Sequence, residues 1–391
     1  MQAVMNSIHT HSRWLALALS IGSAVFASAC CELPPKPDTP PADLAELVTQ
    51  QVGYLVDANR IAGAAVGVVV DGAAHTYFFG ETKLGSGTKP DGDTVYEIGS
   101  ITKTMTAALL ALAVAENEGL TLESPAAPLL PDGYTLPAFE GREITLGDLA
   151  SHTSSLPRLP ENLGTWPRDP YARYTMADLK SFLEGYALNA TPGTRYEYSN
   201  LGASILGIAM ANRADSTYDA LLASRILGPL GMSDSAIALS ETQQQRLAAP
   251  YASRGLPLDC LPPRDSTNWN LGIFAPAGGI KSTLNDMLKY LKASMAPEGT
   301  VLEPIAPLLF QGRFAVNEGM TVALGWHFLN GSGGAPDIIW HNGGTGGYST
   351  FMGFFRGTRT GIVLLANTSV SGEVDAAALS ILNGIAELPS R

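Results

Sequence analysis

Glu97-Ile98-Gly99-Ser100-Ile101-Thr102-Lys103 leads directly into Thr102 to Asn117, an almost unbroken apolar stretch with helical length. A helix that is apolar on every face is stable only when its neighbours cover all of it, so this segment predicts a buried central helix. Ser100 and Lys103 stand three residues apart where that helix begins, and residues at that spacing share one helix face. A serine hydroxyl becomes a competent nucleophile when an adjacent base takes its proton. A lysine at the mouth of an apolar helix is partly desolvated, which lowers its pKa and lets the amine serve as that base. The first helical turn adds unpaired N–H groups and a positive dipole end, both suited to a developing oxyanion. The same residues also fit a plain serine cap beside a solvated lysine, so the spacing alone does not decide between them.

Outward from this segment, the chain divides by periodicity. Asp43 to Asp57 carries Leu44, Leu47, Val48, Val52 and Leu55 at helical spacing. Ala64 to Val70, the turn Asp71-Gly72 and His75 to Gly80 read as a β-hairpin. Leu146 to Gly255 is mainly helical between loops rich in Pro, Gly and Asn. Strand patterns return at Thr321 to Leu329, Ser349 to Phe355 and Thr360 to Asn367, and a helix from Glu373 to Leu388 closes the chain. Strands at both ends around a helical middle predict an α+β fold. Its antiparallel sheet is formed from both chain ends and flanked by helices, with an all-helical lobe inserted over about 120–270.

Composition narrows the function. Net charge is −12, and a nucleic-acid partner needs a basic footprint, so that class is excluded. The six histidines show no metal-ligand spacing, no P-loop or G-x-G-x-x-G unit is present, and G-x-S-x-G is absent. No metal, cofactor or nucleotide is implied, and an α/β-hydrolase is disfavoured.

Two further groups carry chemistry. Tyr198-Ser199-Asn200 follows the turn Thr191-Pro192-Gly193. A tyrosine beside an ammonium group holds or passes a proton, and an asparagine two residues on can bond both the lysine and a substrate amide. The alternative is a packed aromatic at a helix start with Asn200 as its cap. His341-Asn342-Gly343-Gly344 precedes Thr345-Gly346-Gly347-Tyr348 and a strand. Small residues there let a substrate lie along a strand edge, with the Gly344 N–H completing an oxyanion hole; the alternative is a glycine-rich turn.

The order S-x-x-K, Y-x-N, H-x-G, each in its expected context, resembles the serine β-lactamase and penicillin-binding-protein superfamily. Tyr-x-Asn, where class A enzymes have Ser-Asp-Asn, places the resemblance in the class C-like branch. Glu97 to Gly99, Leu149 to Pro157, Leu227 to Met232 and Pro276 to Ile280 are similar to that branch's framework segments, and the likeness spans roughly residues 43 to 388. It is strongest toward periplasmic carboxypeptidase/endopeptidase members around Gly80 to Lys103 and Ile144 to Arg158. The resemblance implies a β-lactamase/transpeptidase-like fold with Ser100 as the acylated nucleophile. It further implies that Lys103 shares the nucleophile's proton and that Tyr198 is general base or acid. Asn200 would orient substrate, and the N–H groups of Ser100 and Gly344 would form the oxyanion hole. His341 departs from the usual lysine of the third motif, which supplies a fixed charge for a substrate carboxylate. An ordinary histidine is mostly neutral at pH 7 unless a nearby carboxylate raises it. The H-x-G variant is similar to that of D-aminopeptidase-like and other peptidase- or esterase-like members. His152 is expected to pack structurally, and His75 and His327 to lie in strands.

Residues 1–29 read as an export signal: His9, His11 and Arg13 precede an apolar run from Trp14 to Ala27 that is too short to span a bilayer. Signal peptidase would cut after Ala29. The competing reading makes Cys30 a lipidated first residue, with 30–42 a Pro-rich tether ahead of a hydrolase domain at 43–391. Cys260 is a lone thiol or a partner for Cys31.

The expected product is an exported, periplasmic serine hydrolase, membrane-tethered if Cys30 carries lipid, acting on a small-molecule or peptide substrate. The leading reading is a peptidase of cell-envelope type that reacts with β-lactams. A true β-lactamase, a carboxylesterase and a non-catalytic envelope binder are the alternatives.

Overall fold

The computed structural model describes residues 34–37, 39–116, 119–165, 169–255, 258 and 260–388. The expected export signal at 1–29, Cys30 and Cys31 lie outside them.

Thirteen strands occur in chain order among the described residues: β1 (Gly63–Val70), β2 (Ala73–Gly80), β3 (Val95–Glu97), β4 (Tyr251–Ala252), β5 (Arg264–Asp265), β6 (Lys281–Thr283), β7 (Phe314–Asn317), β8 (Met320–Val322), β9 (His327–Leu329), β10 (Ile338–Gly344), β11 (Ser349–Phe355), β12 (Gly361–Ala366) and β13 (Thr368–Ser369). Eight form one sheet in the order β2-β1-β12-β11-β10-β9-β8-β7. Every pairing in it is antiparallel, and β1 joins β12 with Ala64 opposite Ala366, so the two chain ends build a single sheet.

Alternation along the strands separates the two faces. Ala64, Val66 and Val68 of β1 pack with Ile362 and Leu364 against the opening and terminal helices. Ala65 and Val69 face the other way, with Val363, Leu365 and Met352, toward the helices Thr102–Glu116 and Leu284–Met295. Covered on both faces, β1 is buried along nearly its whole length, which accounts for its run of Val and Ala.

The opening helix runs from Leu44 to Asp57 with a π turn at Thr49–Gly53, and Asp43 caps it by accepting the Glu46 N–H at 2.9 Å. Helix Thr102–Glu116 is buried continuously from Thr102 to Leu112.

The stretch Thr321 to Leu329, expected as one strand, is a hairpin of β8 and β9. Gly325, at φ +70°, makes the turn, and a Cβ there would sit 2.6 Å from the Lys103 carbonyl oxygen. His341-Asn342-Gly343-Gly344 is strand rather than turn; the turn falls at Thr345 to Tyr348, where the Thr345 N–H bonds the Tyr348 carbonyl at 3.0 Å. β7 and β10 carried no recognised strand pattern. β10 ends in two glycines that read as a turn, and β7 is a short strand that alternates between exposed and half-buried residues. No helix among the described residues is long and apolar enough to cross a membrane. Cys260 is disulfide-bonded, which removes the lone-thiol reading.

Candidate active site

The turn Gly99–Ile101 presents Ser100 at the start of the buried helix. Two glycines let β10 come against this turn. Gly99 has φ +53°, and a Cβ on it would lie 2.7 Å from the Gly344 nitrogen. A Cβ on Gly343 would lie 2.0 Å from the Ile98 carbonyl oxygen and 2.4 Å from Thr350 Oγ1. The gap is closed by Thr350, whose hydroxyl donates to the Ile98 carbonyl at 2.9 Å. The Ser100 backbone and the Gly344 N–H are thereby brought to one place. Gly343→Ala is expected to push β10 off the turn, lowering kcat about 100-fold and stability by about 1–3 kcal/mol. Acylation rates alongside thermal melts check this; an unchanged rate would mean that the close approach is dispensable.

Lys103 Nζ lies 2.9 Å from Ser100 Oγ and donates to the Ala277 carbonyl at 2.5 Å. Its side chain is fully enclosed. Burial, and secondarily the Arg158 charge, hold its pKa well below the ordinary ammonium range. A neutral amine in this position has a lone pair to turn toward Ser100. The half-buried Tyr198 meets the same hydroxyl, and burial pushes its pKa well up, so it remains a phenol. The Tyr198 ring has Lys103 Nζ at 4.9 Å and the Arg158 guanidinium carbon at 4.9 Å from its centroid.

Three imidazoles surround that ring. His152 is 4.4 Å away between centroids and accepts the Ser199 N–H on Nδ1 at 3.2 Å. His327, in β9, has Nε2 at 2.9 Å from the Tyr196 hydroxyl. His341 packs 5.0 Å from His327 and 6.1 Å from Tyr198, with Nδ1 2.6 Å from the Asn342 carbonyl.

The His341 side chain is fully buried, and its pKa is held well below the usual imidazole range by burial, then by His327 and Lys103. No carboxylate among the described residues raises it, in keeping with a mostly neutral ring, and the ring sits behind the cleft wall rather than on it. His152 is lowered likewise, mainly by burial, and His327 is lowered to about 4 by burial and Lys103.

These shifts predict an acid-sensitive fold. Below about pH 6.5 the unfolded chain binds protons that the native histidines refuse, so stability falls with pH. The slope is about 1.4 kcal/mol per pH unit for each histidine, down to its native pKa. For His327 this sums to about 3 kcal/mol between pH 6.5 and 4. Denaturant midpoints at pH 7 and pH 5 check it, and equal midpoints would refute the neutral cluster.

Asn200 begins helix Asn200–Arg213, but the cap is Ser199, whose Oγ accepts the Gly202 N–H at 2.8 Å. Asn200 Nδ2 bonds the Tyr171 hydroxyl at 3.3 Å, and among the described residues no hydrogen bond joins it to Lys103. Its Oδ1 is buried without a partner, at a narrow cleft of about 20 Å³ that it shares with Ser100, Trp269 and Gly344. On the other side of Ser100 a larger cleft of about 500 Å³ is lined by Arg158, Tyr198, His327, Trp340, Asn342 and Asp375, among others. Asn342 donates to Asp375 at 2.6 Å, and burial raises the Asp375 carboxyl.

Ser100, Lys103, Tyr198, Asn200, Gly343 and Gly344 thus converge. Arg158, His327 and Asp375 are lining residues that the sequence reading passed over. Arg158 ends the Ile144 to Arg158 stretch of likeness and left some trace there; the other two look like an ordinary strand histidine and an ordinary acidic helix start. The described residues contain no cluster suited to a metal.

Comparison with known proteins bears on the family and the fold. The family profile described as Beta-lactamase matches residues 44–384. The D-alanyl-D-alanine-carboxypeptidase/endopeptidase AmpH of Escherichia coli (strain K12) is 30% identical over 85% of this chain and 86% of its own. A Beta-lactamase of Pseudomonas fluorescens is 26% identical over 83% of this chain and 94% of its own. The Beta-lactamase/D-alanine Carboxypeptidase from Yersinia pestis, solved with citrate, superimposes with a TM-score of 0.76 at 25% identity, covering 88% of this chain and 98% of that one.

Proposed function

Since the chain belongs to the beta-lactamase family, in the class C-like branch related to DD-carboxypeptidase/endopeptidases, we propose that it is an exported serine hydrolase acylated at Ser100. Its substrates are amide bonds of small or cell-wall peptides, and β-lactams acylate the same serine. One observation carries the reading: Lys103, enclosed and with its pKa held well below the ordinary ammonium range by burial, sits 2.9 Å from Ser100 Oγ. The name of the AmpH relative favours a D-Ala-terminated peptide over other amides. Export is supported by the apolar leader and by the disulfide at Cys260, which suits an oxidising compartment.

In this mechanism Ser100 Oγ attacks the scissile carbonyl as its proton passes to the Lys103 amine. The carbonyl electrons move to oxygen, facing the N–H groups of Ser100 and Gly344. Collapse of the adduct expels the amine. Its proton comes through the Tyr198 phenol, which Lys103 re-protonates. The acyl-enzyme then takes water by the same route in reverse, returning the acid and free Ser100. Tyr198 serves as a relay and acid because burial disfavours its phenolate. Asn200 holds the acyl side at the narrow cleft.

The test is incubation with an acetylated D-alanyl-D-alanine peptide and with nitrocefin, following D-alanine release and intact mass. Release of D-alanine, with a β-lactam adduct on Ser100, is expected. Peptides left intact would sink the peptidase reading, and rapid repeated nitrocefin turnover would replace it with a β-lactamase. The neutral, enclosed His341 favours a second reading, carboxylesterase, which p-nitrophenyl butyrate turnover without D-alanine release would establish.

A further inference from the structure

Burial lowers the pKa of Lys103 and of all three histidines, so the cleft beside Ser100 requires another source of fixed positive charge if it is to receive an anionic group. Among the described residues lining it, Arg158 is the only arginine or lysine. Its guanidinium forms no ion pair or hydrogen bond with described residues and rests on the Tyr198 ring. Such an arginine has its bidentate face free.

The backbone beneath it is firmly placed. The Arg158 carbonyl accepts the N–H groups of Asn200 at 3.0 Å and Leu201 at 3.3 Å, and the adjoining Pro157 carbonyl accepts the Ser199 hydroxyl at 2.7 Å. The residue is therefore tied to the helix start that carries Tyr198 and Asn200, and the ring limits the side chain's freedom. Pre-ordering of this kind reduces the entropy lost when a ligand docks.

The other charged side chain on the cleft, Asp375, projects from the terminal helix and is engaged by Asn342. The carboxylate of Asp375 discourages an anion on its own side, which leaves the Tyr198 side for one.

We propose that Arg158 is the carboxylate-recognition residue of this site, binding the C-terminal carboxylate of the leaving group beside Tyr198. This deepens the peptidase reading and rests on it: the amine that Tyr198 protonates and the carboxylate that Arg158 holds belong to the same departing residue. Arg158 takes over the fixed charge that His341 does not supply, from a different element packed against the same tyrosine ring. A planar guanidinium pairs with a carboxylate through two parallel hydrogen bonds, so the preference should be large for the acid over its uncharged amide.

The experiment measures binding apart from turnover. In a Ser100→Ala background, N-acetyl-D-alanyl-D-alanine and its C-terminal amide are titrated calorimetrically, with Arg158 present, replaced by Gln, and replaced by Lys. The acid should bind about tenfold to a hundredfold more tightly than the amide, Arg158→Gln should erase that difference, and Arg158→Lys should restore part of it. Equal affinity of acid and amide, or a difference that survives in Arg158→Gln, overturns the assignment. Steady-state kinetics on the Ser100 protein separate this failure from failure of the peptidase reading. If D-alanine is released but KM for the acid is unmoved by Arg158→Gln, only the arginine's role falls. If no D-alanine is released while the acid still binds through Arg158, only the peptidase reading falls.

Discussion

Ser100→Ala is expected to abolish covalent labelling by β-lactams and fluorophosphonates and to lower hydrolysis about 10⁴-fold or more, with the fold intact. The size follows from what the hydroxyl does: without it no acyl-enzyme forms, and only binding and the oxyanion donors remain to assist water. Stability should hardly change, because the side chain is half-exposed and its hydrogen-bond partners are Lys103 and Tyr198. Intact mass after incubation, with a melting curve as control, checks both halves. An adduct retained in Ser100→Ala would place the nucleophile elsewhere.

Lys103→Met should cost nearly as much, about 10³-fold to 10⁴-fold in acylation, since general-base assistance is removed while the nucleophile stays. Stability should be equal or higher. The lysine is enclosed at 2% exposure, and an unbranched apolar side chain of similar length fills the same space without an amine to desolvate. A variant that is as stable as the parent and inactive would separate function from folding at this position.

The same residue sets the pH profile. The active form has Lys103 neutral, so activity rises with pH through the lysine's native pKa. Burial and Arg158 lower that pKa, so the rising limb lies on the acid side of an ordinary lysine. A limb at the usual lysine position would contradict a neutral Lys103, and loss of the limb in Lys103→Met would assign it.

Much of this was legible before any coordinates. The hairpin at 63–80 showed through because a polar Asp71-Gly72 turn separates two strand-rich runs. The buried helix showed through because nothing from Thr102 to Leu112 needs water beyond Lys103 and three threonines. S-x-x-K is local, so helix geometry alone places Lys103 beside Ser100. Y-x-N and H-x-G are meaningful only jointly, since either alone fits a cap or a turn.

The rest depended on partners far along the chain. β10 was missed because its glycines look like a turn, yet Gly343 is glycine because the Ile98 carbonyl occupies the space of its side chain. The ionisation of His341 could not be read from residue type: an imidazole is poised near neutrality, and its state follows from burial beside His327 and Lys103. Arg158 looks like any surface arginine until the loop that bears it is tied to the Asn200 helix. The sequence by itself determined the family, the two-ended sheet and the pairing of Ser100 with Lys103, because these rest on local periodicity and short spacing. Tertiary structure alone decided which groups are charged, because charge in an enclosed site is set by desolvation and by neighbours that the chain brings together from more than a hundred residues away.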